Sequence, residues 1–270
     1  MERRTLIKSA LGAALATTGT TRIAAAPAKA AAGPRTFVLV HGAWHGGWCW
    51  RDVATLLRAQ GHIVHAPSLT GLADRSHLLA TSLTLQTHID DIVNLFRWED
   101  IDDAVLVAHS YGGWPVSGAV EKIADKVRSI VFVDAFLPDN GQRVIDLNAP
   151  QFQQALKDAI ARGEAGRPVP PVKAFGIKDP AKAAWVQAKM TPQPTGVATQ
   201  PIALTGARDR IARKTYVRAT GYAMPMFDSY LAHARQDPSW KTISLGASEC
   251  GHDVMVDAPA TLARILMSAA

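Results

Sequence analysis

Val105-Leu106-Val107-Ala108-His109-Ser110-Tyr111-Gly112-Gly113 runs β-prone residues straight into a serine flanked by small residues, and a helical pattern follows. A strand, a sharp turn and a helix in that order make a nucleophile elbow, with Ser110 at its tip. The turn strains the backbone around the serine, so only small side chains fit two places to either side. Gly112 meets that demand on one flank. Ala108 stands where the G-x-S-x-G pattern has its first glycine, and a methyl group is the smallest possible addition.

Outward from the elbow, short β-rich runs alternate with helical patterns from residue 36 onward. That alternation predicts an α/β fold with a mostly parallel central sheet and helices on both faces. Strands are predicted at Thr36–Val40, His62–Ala66, Asp103–Val107, Ser129–Val133, Lys214–Ala219 and Trp240–Leu245. Helices are predicted at Trp48–Gln60, after a Thr84 cap, at Gly112–Lys126, Pro225–Gln236 and Pro259–Met267. The alternation breaks over residues 137–200, which are rich in Pro, Gly and Gln, with helical pieces at Gln151–Arg162 and Pro180–Lys189. An insertion at this point in such a sheet is expected to form a small lid over the active site.

The chain has 270 residues, 48% of them hydrophobic, enough for a full core. Its formal charge of +6 suggests a nucleic-acid or membrane surface, but the distribution argues against both. Residues 1–30 hold five basic side chains against Glu2, and the remaining residues carry 24 basic and 22 acidic ones. No basic face is left to explain. Arg3-Arg4-Thr5-Leu6-Ile7-Lys8, then a weakly apolar stretch and Ala28-Lys29-Ala30, read as a twin-arginine-type signal over residues 1–30 with a small-x-small cleavage site. The expectation is export to the periplasm or beyond, with no permanent membrane anchor because the apolar stretch is too short. Cys49 and Cys250 form no framework by spacing, and two separate buried thiols are expected.

A serine nucleophile needs a base for its proton and N–H donors for the oxyanion. In this strand order the base comes last, after the final strand, and His252 in Glu249-Cys250-Gly251-His252-Asp253 sits there. The backbone N–H of Tyr111 is the first expected oxyanion donor. The second should come from the loop after the first strand, His41-Gly42-Ala43-Trp44-His45-Gly46-Gly47-Trp48, with Ala43 as the donor and His41 as a brace.

Those three segments, His41–Trp48, His109–Gly113 and Gly251–Asp253, resemble the α/β-hydrolase superfamily. Within it they are similar to the branch of plant methyl-ester esterases, hydroxynitrile lyases and bacterial esterase relatives. Asp91-Ile92-Val93 and Thr191-Pro192-Gln193-Pro194 fit the same branch. The resemblance spans about residues 36–270 and implies a Ser-His-acid triad. Most of the superfamily places the acid late, and Asp209 in Pro201–Asp209 imitates that signature. If Lys214–Ala219 is the strand, however, Asp209 precedes it at the wrong end of the sheet. Asp134 ends the strand directly after the nucleophile helix, at the carboxyl edge where active-site groups gather, and some α/β-hydrolases place their acid there. Asp134 is the preferred acid, with Asp209, Asp228 and Asp253 as alternatives.

The triad alone does not choose the reaction. In the lyase subgroup a Thr commonly follows the oxyanion-loop His and a Lys follows the catalytic His. Here those positions are Gly42 and Asp253, and an anion beside His252 would repel departing cyanide. A carboxylesterase acting on small to medium apolar or aryl esters is therefore expected, with a C–C lyase or a non-catalytic ligand receptor as the other readings. Trp44, Trp114, Phe136 and Trp185 are candidate substrate contacts, with Phe175, Tyr222, Met224 and Met226 nearby. No His/Cys spacing asks for a metal and no glycine-rich loop for a nucleotide, so no cofactor is expected. The oligomeric state is not legible.

Overall fold

The computed structural model describes residues 33–270. The predicted signal over residues 1–30 lies outside the described residues. The central sheet is built from β1 (Thr36–Val40), β2 (Ile63–His65), β3 (Ala104–His109), β4 (Val127–Val133), β7 (Lys214–Ala219) and β8 (Trp240–Leu245). Two further two-residue strands, β5 (Gly166–Arg167) and β6 (Gln193–Pro194), pair antiparallel outside it. The six main strands are all parallel, in the order β2-β1-β3-β4-β7-β8. The expected α/β architecture is therefore present.

The interior strands are apolar on both faces because helices cover both. β3 is buried at every position, and β4 at all but Arg128. Successive side chains point to opposite faces, which sorts the core into two layers. Val38, Val40, Leu106, Ile130, Phe132 and Tyr216 face α2 (Leu85–Trp98) and α3 (Gly113–Ile123). Phe37, Leu39, Val105, Val107, Val131 and Val217 face α1 (Arg51–Ala59) and α9 (Pro259–Ser268). Thr84 and Thr87 close a reciprocal capping box that starts α2, whose Leu85, Ile89, Ile92 and Phe96 form its buried stripe.

The predicted elements differ from the observed ones mainly at their ends. β2 is trimmed to three residues at the sheet edge. The helix read from Trp48 opens as a 3₁₀ turn over Gly47–Trp50, and the one read to Lys126 ends in another over Ala124–Lys126. β4 starts two residues before its predicted first residue.

Between β4 and β7 the chain makes α4 (Pro150–Ala161), β5, α5 (Pro180–Lys189), β6 and the short α6 (Ala207–Arg210). Residues 201–205 form no strand, so Asp209 in α6 precedes β7. After β7 come α7 (Pro225–Gln236), β8, the short α8 (Val254–Asp257) and α9. The strand order reverses between β1 and β3. Such a switch point parts the two following loops and opens a crevice at the carboxyl ends of the strands. The loops after β1, β3, β4 and β8 carry Ala43, Ser110, Asp134 and His252, and the end of β7 carries Arg218.

Candidate active site

The elbow is built by close approach. Ser110 has φ +51°, a left-handed conformation that costs a non-glycine residue energy and persists only where the surroundings enforce it. Two glycines show what enforces it. A Cβ on Gly113 would lie 2.0 Å from the Phe136 carbonyl oxygen, and one on Gly42 would lie 2.9 Å from Ser110 Cβ. The loops after β1 and β4 thus press on the turn from two sides, and the Phe136 N–H donates to the Ser110 carbonyl at 3.1 Å.

Asp134 continues straight from β4 and is fully buried. It too is left-handed, at φ +44°. One carboxylate oxygen accepts from Nδ1 of His252 at 2.7 Å. The other accepts from the Arg218 guanidinium at 2.8 Å and the Ala219 N–H at 3.1 Å. Arg218 also donates to Asp228 at 2.7 Å and to the Tyr222 carbonyl at 2.7 Å. Burial works against the Arg218 charge, but the Asp228 hydrogen bond and the Asp134 charge hold its pKa above the ordinary value. Nothing in the sequence reading singled out Arg218. A basic residue inside a buried strand was the available signal, and Lys214 in the same strand carries it too.

His252 sits among rings. Tyr222 stacks on it with centroids 4.3 Å apart, Phe175 and Phe227 lie nearly parallel at 6.1 and 5.9 Å, and its N–H donates to the Phe175 carbonyl at 2.8 Å. With Nδ1 committed to Asp134, Nε2 is the ring nitrogen left for the cavity that Ser110 and His252 both line.

Four more histidines brace the loops, and their partners fix their protonation. His41 Nε2 accepts from the Leu69 N–H at 2.9 Å, so Nδ1 carries the proton and donates to the Gly42 carbonyl at 2.8 Å. Burial pulls its pKa down to about 3, so it is a neutral brace. His88 Nε2 donates to the Thr70 carbonyl, while Nδ1 accepts from the Tyr111 hydroxyl at 2.9 Å. His109 Nε2 donates to the His252 carbonyl at 3.1 Å, tying the elbow to the base loop. His45 faces an acceptor on both sides, the Ala43 carbonyl at 2.8 Å and Asp253 at 3.1 Å. Both nitrogens must donate, so His45 is an imidazolium. Burial opposes that charge, yet Asp253 outweighs it and raises the pKa. Burial likewise opposes ionisation of Asp253, but the neighbouring His45 brings its pKa down to about 2.

Asp253 is therefore half of a buried ion pair and not an anion facing the cavity, which corrects the charge argument drawn from its place beside His252. His109, His252 and Asp253 bring ligand atoms within 4.8 Å of one another. Each of the three gives one atom to the hydrogen bonds just described, while His109 Nδ1 and Asp253 Oδ1 are buried without a partner among the described residues.

Ala43 and Tyr111, the expected oxyanion donors, both line the cavity. Tyr111 is the second residue of the helical turn Ser110–Gly112, where N–H groups lack an intrahelical acceptor. The Ala43 N–H has no protein acceptor among the described residues. The cavity, of about 180 Å³, is also lined by Trp44, Phe136, Phe175, Tyr222, Met224, Met226 and Phe227. Val144, Leu147, Asn148 and Arg167 close it from the segment between β4 and β7. Trp44 and Phe136 are thus where the sequence reading put them.

Trp114 and Trp185 are not. Trp114 is the second residue of α3 and fully buried in the core beside Phe136. Trp185 packs edge-on against Trp48 with Arg51 over its ring, away from Ser110. Both are aromatic anchors for helices, a use that composition does not distinguish from lining a pocket. Asp209 is exposed and pairs only with Arg208, and Asp228 reaches the site only through Arg218. Cys49 and Cys250 are buried free thiols.

A model of the alpha/beta hydrolase family matches residues 37–265. Among curated proteins, a carbendazim hydrolyzing esterase from Nocardioides sp. (strain SG-4G) is 37% identical over 239 residues, covering 85% of this chain and 97% of that protein. Methylesterase 4 of Arabidopsis thaliana is 40% identical over 131 residues, 48% of each chain, so that match spans about half of the plant protein. Among solved structures, an extracellular alpha/beta-hydrolase from a Paenibacillus species superposes with a TM-score of 0.73 at 23% identity, over 87% of this chain and 99% of that one. A methylesterase from Arabidopsis superposes at 0.70 and 20% identity, over 87% and 98%. At those identities the two structures show the shared fold.

Arg218→Met should cost about 3–5 kcal/mol, because it leaves the Asp134 carboxylate buried without its cation; urea unfolding measures this. The His45–Asp253 pair sets a pH signature. The raised His45 pKa contributes stability that is complete below the ordinary 6.5 and lost as pH rises through the higher folded value. The lowered Asp253 pKa contributes stability that is complete above the ordinary 3.8 and lost as pH falls toward about 2. The stability gap between wild type and His45→Gln should therefore be widest between about pH 4 and 6.5 and narrow above it. A gap independent of pH in an unfolding series would refute the ion pair.

Proposed function

This chain belongs to the alpha/beta hydrolase family, and from that premise we propose that it is a serine carboxylesterase working through Ser110, His252 and Asp134. The observation that carries the reading is the 2.7 Å hydrogen bond from His252 Nδ1 to buried Asp134, at the wall of the cavity that Ser110 enters. Asp134 holds the imidazole in the tautomer whose Nε2 is free to accept a proton. Ser110 Oγ attacks the ester carbonyl carbon as its proton passes to Nε2. The N–H groups of Ala43 and Tyr111 hold the oxyanion that forms. The tetrahedral intermediate collapses, the leaving alkoxide takes the proton from Nε2, and an acyl-enzyme remains. Water then repeats the sequence and releases the acid.

An aromatic and methionine lining suits small to medium apolar or aryl esters. The segment over residues 137–200 acts as the lid that closes this pocket and excludes water. The esterase names of the relatives agree with this chemistry. Gly42 weighs against the lyase reading. A Thr at that position would drive its Cβ to within 2.9 Å of Ser110 Cβ and 2.8 Å of His109 Nδ1.

Residues 1–30 are proposed to export the folded enzyme, on the strength of Arg3-Arg4 and the Ala28-Lys29-Ala30 site. Replacing Arg3 and Arg4 by Lys should hold the protein in the cytoplasm in a fractionation experiment, and unchanged export would refute the assignment.

Hydrolysis of p-nitrophenyl and aryl-methyl esters by the protein from residue 31 onward tests the triad. Ser110→Ala should abolish turnover, Asp134→Asn should lower kcat by about 10⁴-fold, and Asp209→Asn should leave it intact. Loss at Asp209 with activity retained at Asp134 would overturn the proposed acid.

A further inference from the structure

Among the described residues Arg167 is the one Lys or Arg in the cavity wall, and none of their side chains answers its charge. It belongs to β5, where the antiparallel pairing with β6 brings it to Gln193. The Gln193 side chain in turn accepts from the Trp44 N–H at 2.9 Å. The Arg167 guanidinium lies over the Trp44 ring at 5.1 Å and near the Phe152 ring at 5.7 Å. Its Nε is buried without a partner, and the side chain makes no hydrogen bond or ion pair among the described residues. The acid in the wall of the adjoining hollow, Glu164, is already held by Arg162 at 2.7 Å. Burial lowers the Arg167 pKa to about 10, which still leaves it charged at neutral pH.

Buried polar groups are almost always paired, and an unpaired buried charge is costly. A guanidinium offers its donors as a planar fork that matches a carboxylate two bonds at a time. Two aromatic faces hold that fork in place without using up its donors. Trp44 and Arg167 are also the two residues shared between the Ser110 cavity and an outer hollow lined by Phe152, Leu156 and Ala159. Arg167 thus stands where the Ser110 cavity meets that hollow, over Trp44, the neighbour of the proposed oxyanion donor Ala43.

We propose that Arg167 is a specificity-determining residue that binds a free carboxylate on the substrate, so that the preferred esters carry an anionic group at the end away from the scissile bond. The proposal rests on the esterase reading for its reaction but not for its binding site. Monoesters of dicarboxylic acids fit directly, with the esterified end at Ser110 and the free end at Arg167. Esters whose carboxylate sits on the alcohol side present the same chemistry from the other direction.

The experiment compares kcat/KM for monomethyl succinate, glutarate and adipate with that for their dimethyl esters, and includes acetyl esters of hydroxy acids to identify the side. Wild type should favour the anionic partner of at least one pair. Arg167→Gln should lower the anionic-to-neutral ratio by about 10- to 100-fold, chiefly through KM, and Arg167→Lys should recover part of it. Arg167→Met keeps the stem packed on Trp44 should the Gln variant unfold, and thermal unfolding of each variant accompanies the kinetics. A ratio unchanged in both variants would overturn the proposal.

Binding separates this proposal from the esterase reading. Glutarate should quench the tryptophan fluorescence of Ser110→Ala saturably, and Arg167→Gln added to that background should abolish the effect. Saturable, Arg167-dependent binding without turnover of any ester would sink the esterase reading and keep the carboxylate site. Turnover with no such binding and no shift in the ratio would do the reverse.

Discussion

The buried Asp134 carboxylate is the constraint on which the rest of the site depends. A carboxylate without water is tolerated only where donors surround it. This one takes three donors from two places: His252 in the loop after β8, and Arg218 and the Ala219 N–H at the end of β7. Its own backbone belongs to the end of β4, and its N–H donates to the Val217 carbonyl at 2.7 Å. One charge therefore fastens the carboxyl ends of three strands together. Asp134 itself takes a left-handed turn at φ +44°, a conformation that persists only where the surroundings hold it. The division of its two oxygens also matters for chemistry. Arg218 and Ala219 occupy one, so the other addresses a single imidazole nitrogen and orients that ring without ambiguity.

A second buried charge pair does the same for the facing loops. His45 comes from the loop after β1, and Asp253 follows His252. Between them, His109 ties the elbow to the His252 carbonyl. The proposed nucleophile, base and oxyanion loops are thus locked to one another by hydrogen bonds behind the cavity wall, and not by contacts within the cavity itself. That arrangement leaves the cavity face free for substrate while resisting the small displacements that degrade positioned chemistry. Three of the non-glycine residues with positive φ, Trp44, Ser110 and Asp134, lie on these loops, where packing from neighbouring strands holds the strained backbone.

The fold was legible because its signals are local and periodic. Apolar runs of strand length, the Thr84 cap, and Pro at the starts of α5, α7 and α9 need no knowledge of distant partners. Strand order put Ser110, His252 and Asp134 at the carboxyl edge of one parallel sheet, where loops converge, and the family resemblance favoured Asp134 over Asp209, Asp228 and Asp253. What sequence reasoning missed shares the opposite property. Arg218 is a cation inside a β7 otherwise read as core, and its meaning depends on Asp134, 84 positions away. His45 and Asp253 are 208 positions apart; His45 alone reads as an ordinary polar residue, and Asp253 alone reads as an anion beside His252. The aromatic residues split for the same reason. Trp44 and Phe136 reach the cavity because the loops after β1 and β4 turn into it, while Trp114 follows the inward face of α3 and Trp185 follows α5 onto Trp48.

Arg167 extends that contrast to the substrate. Arg218 and Arg167 are both cations close to the proposed machinery, yet one is saturated by two carboxylates and the other by none. The difference lies in what each faces. Arg218 looks inward, where an unpaired charge would destabilise the folded state by several kcal/mol. Arg167 lines the cavity and is only partly buried, so before a ligand enters and the lid closes water can reach its outer nitrogens, until a carboxylate replaces that water. Its desolvation penalty is therefore deferred to binding, and an anionic ligand is the group that can offset it. A neutral ester entering the same cavity would strip that water without supplying a partner. The charge that draws one kind of substrate thus acts against the other.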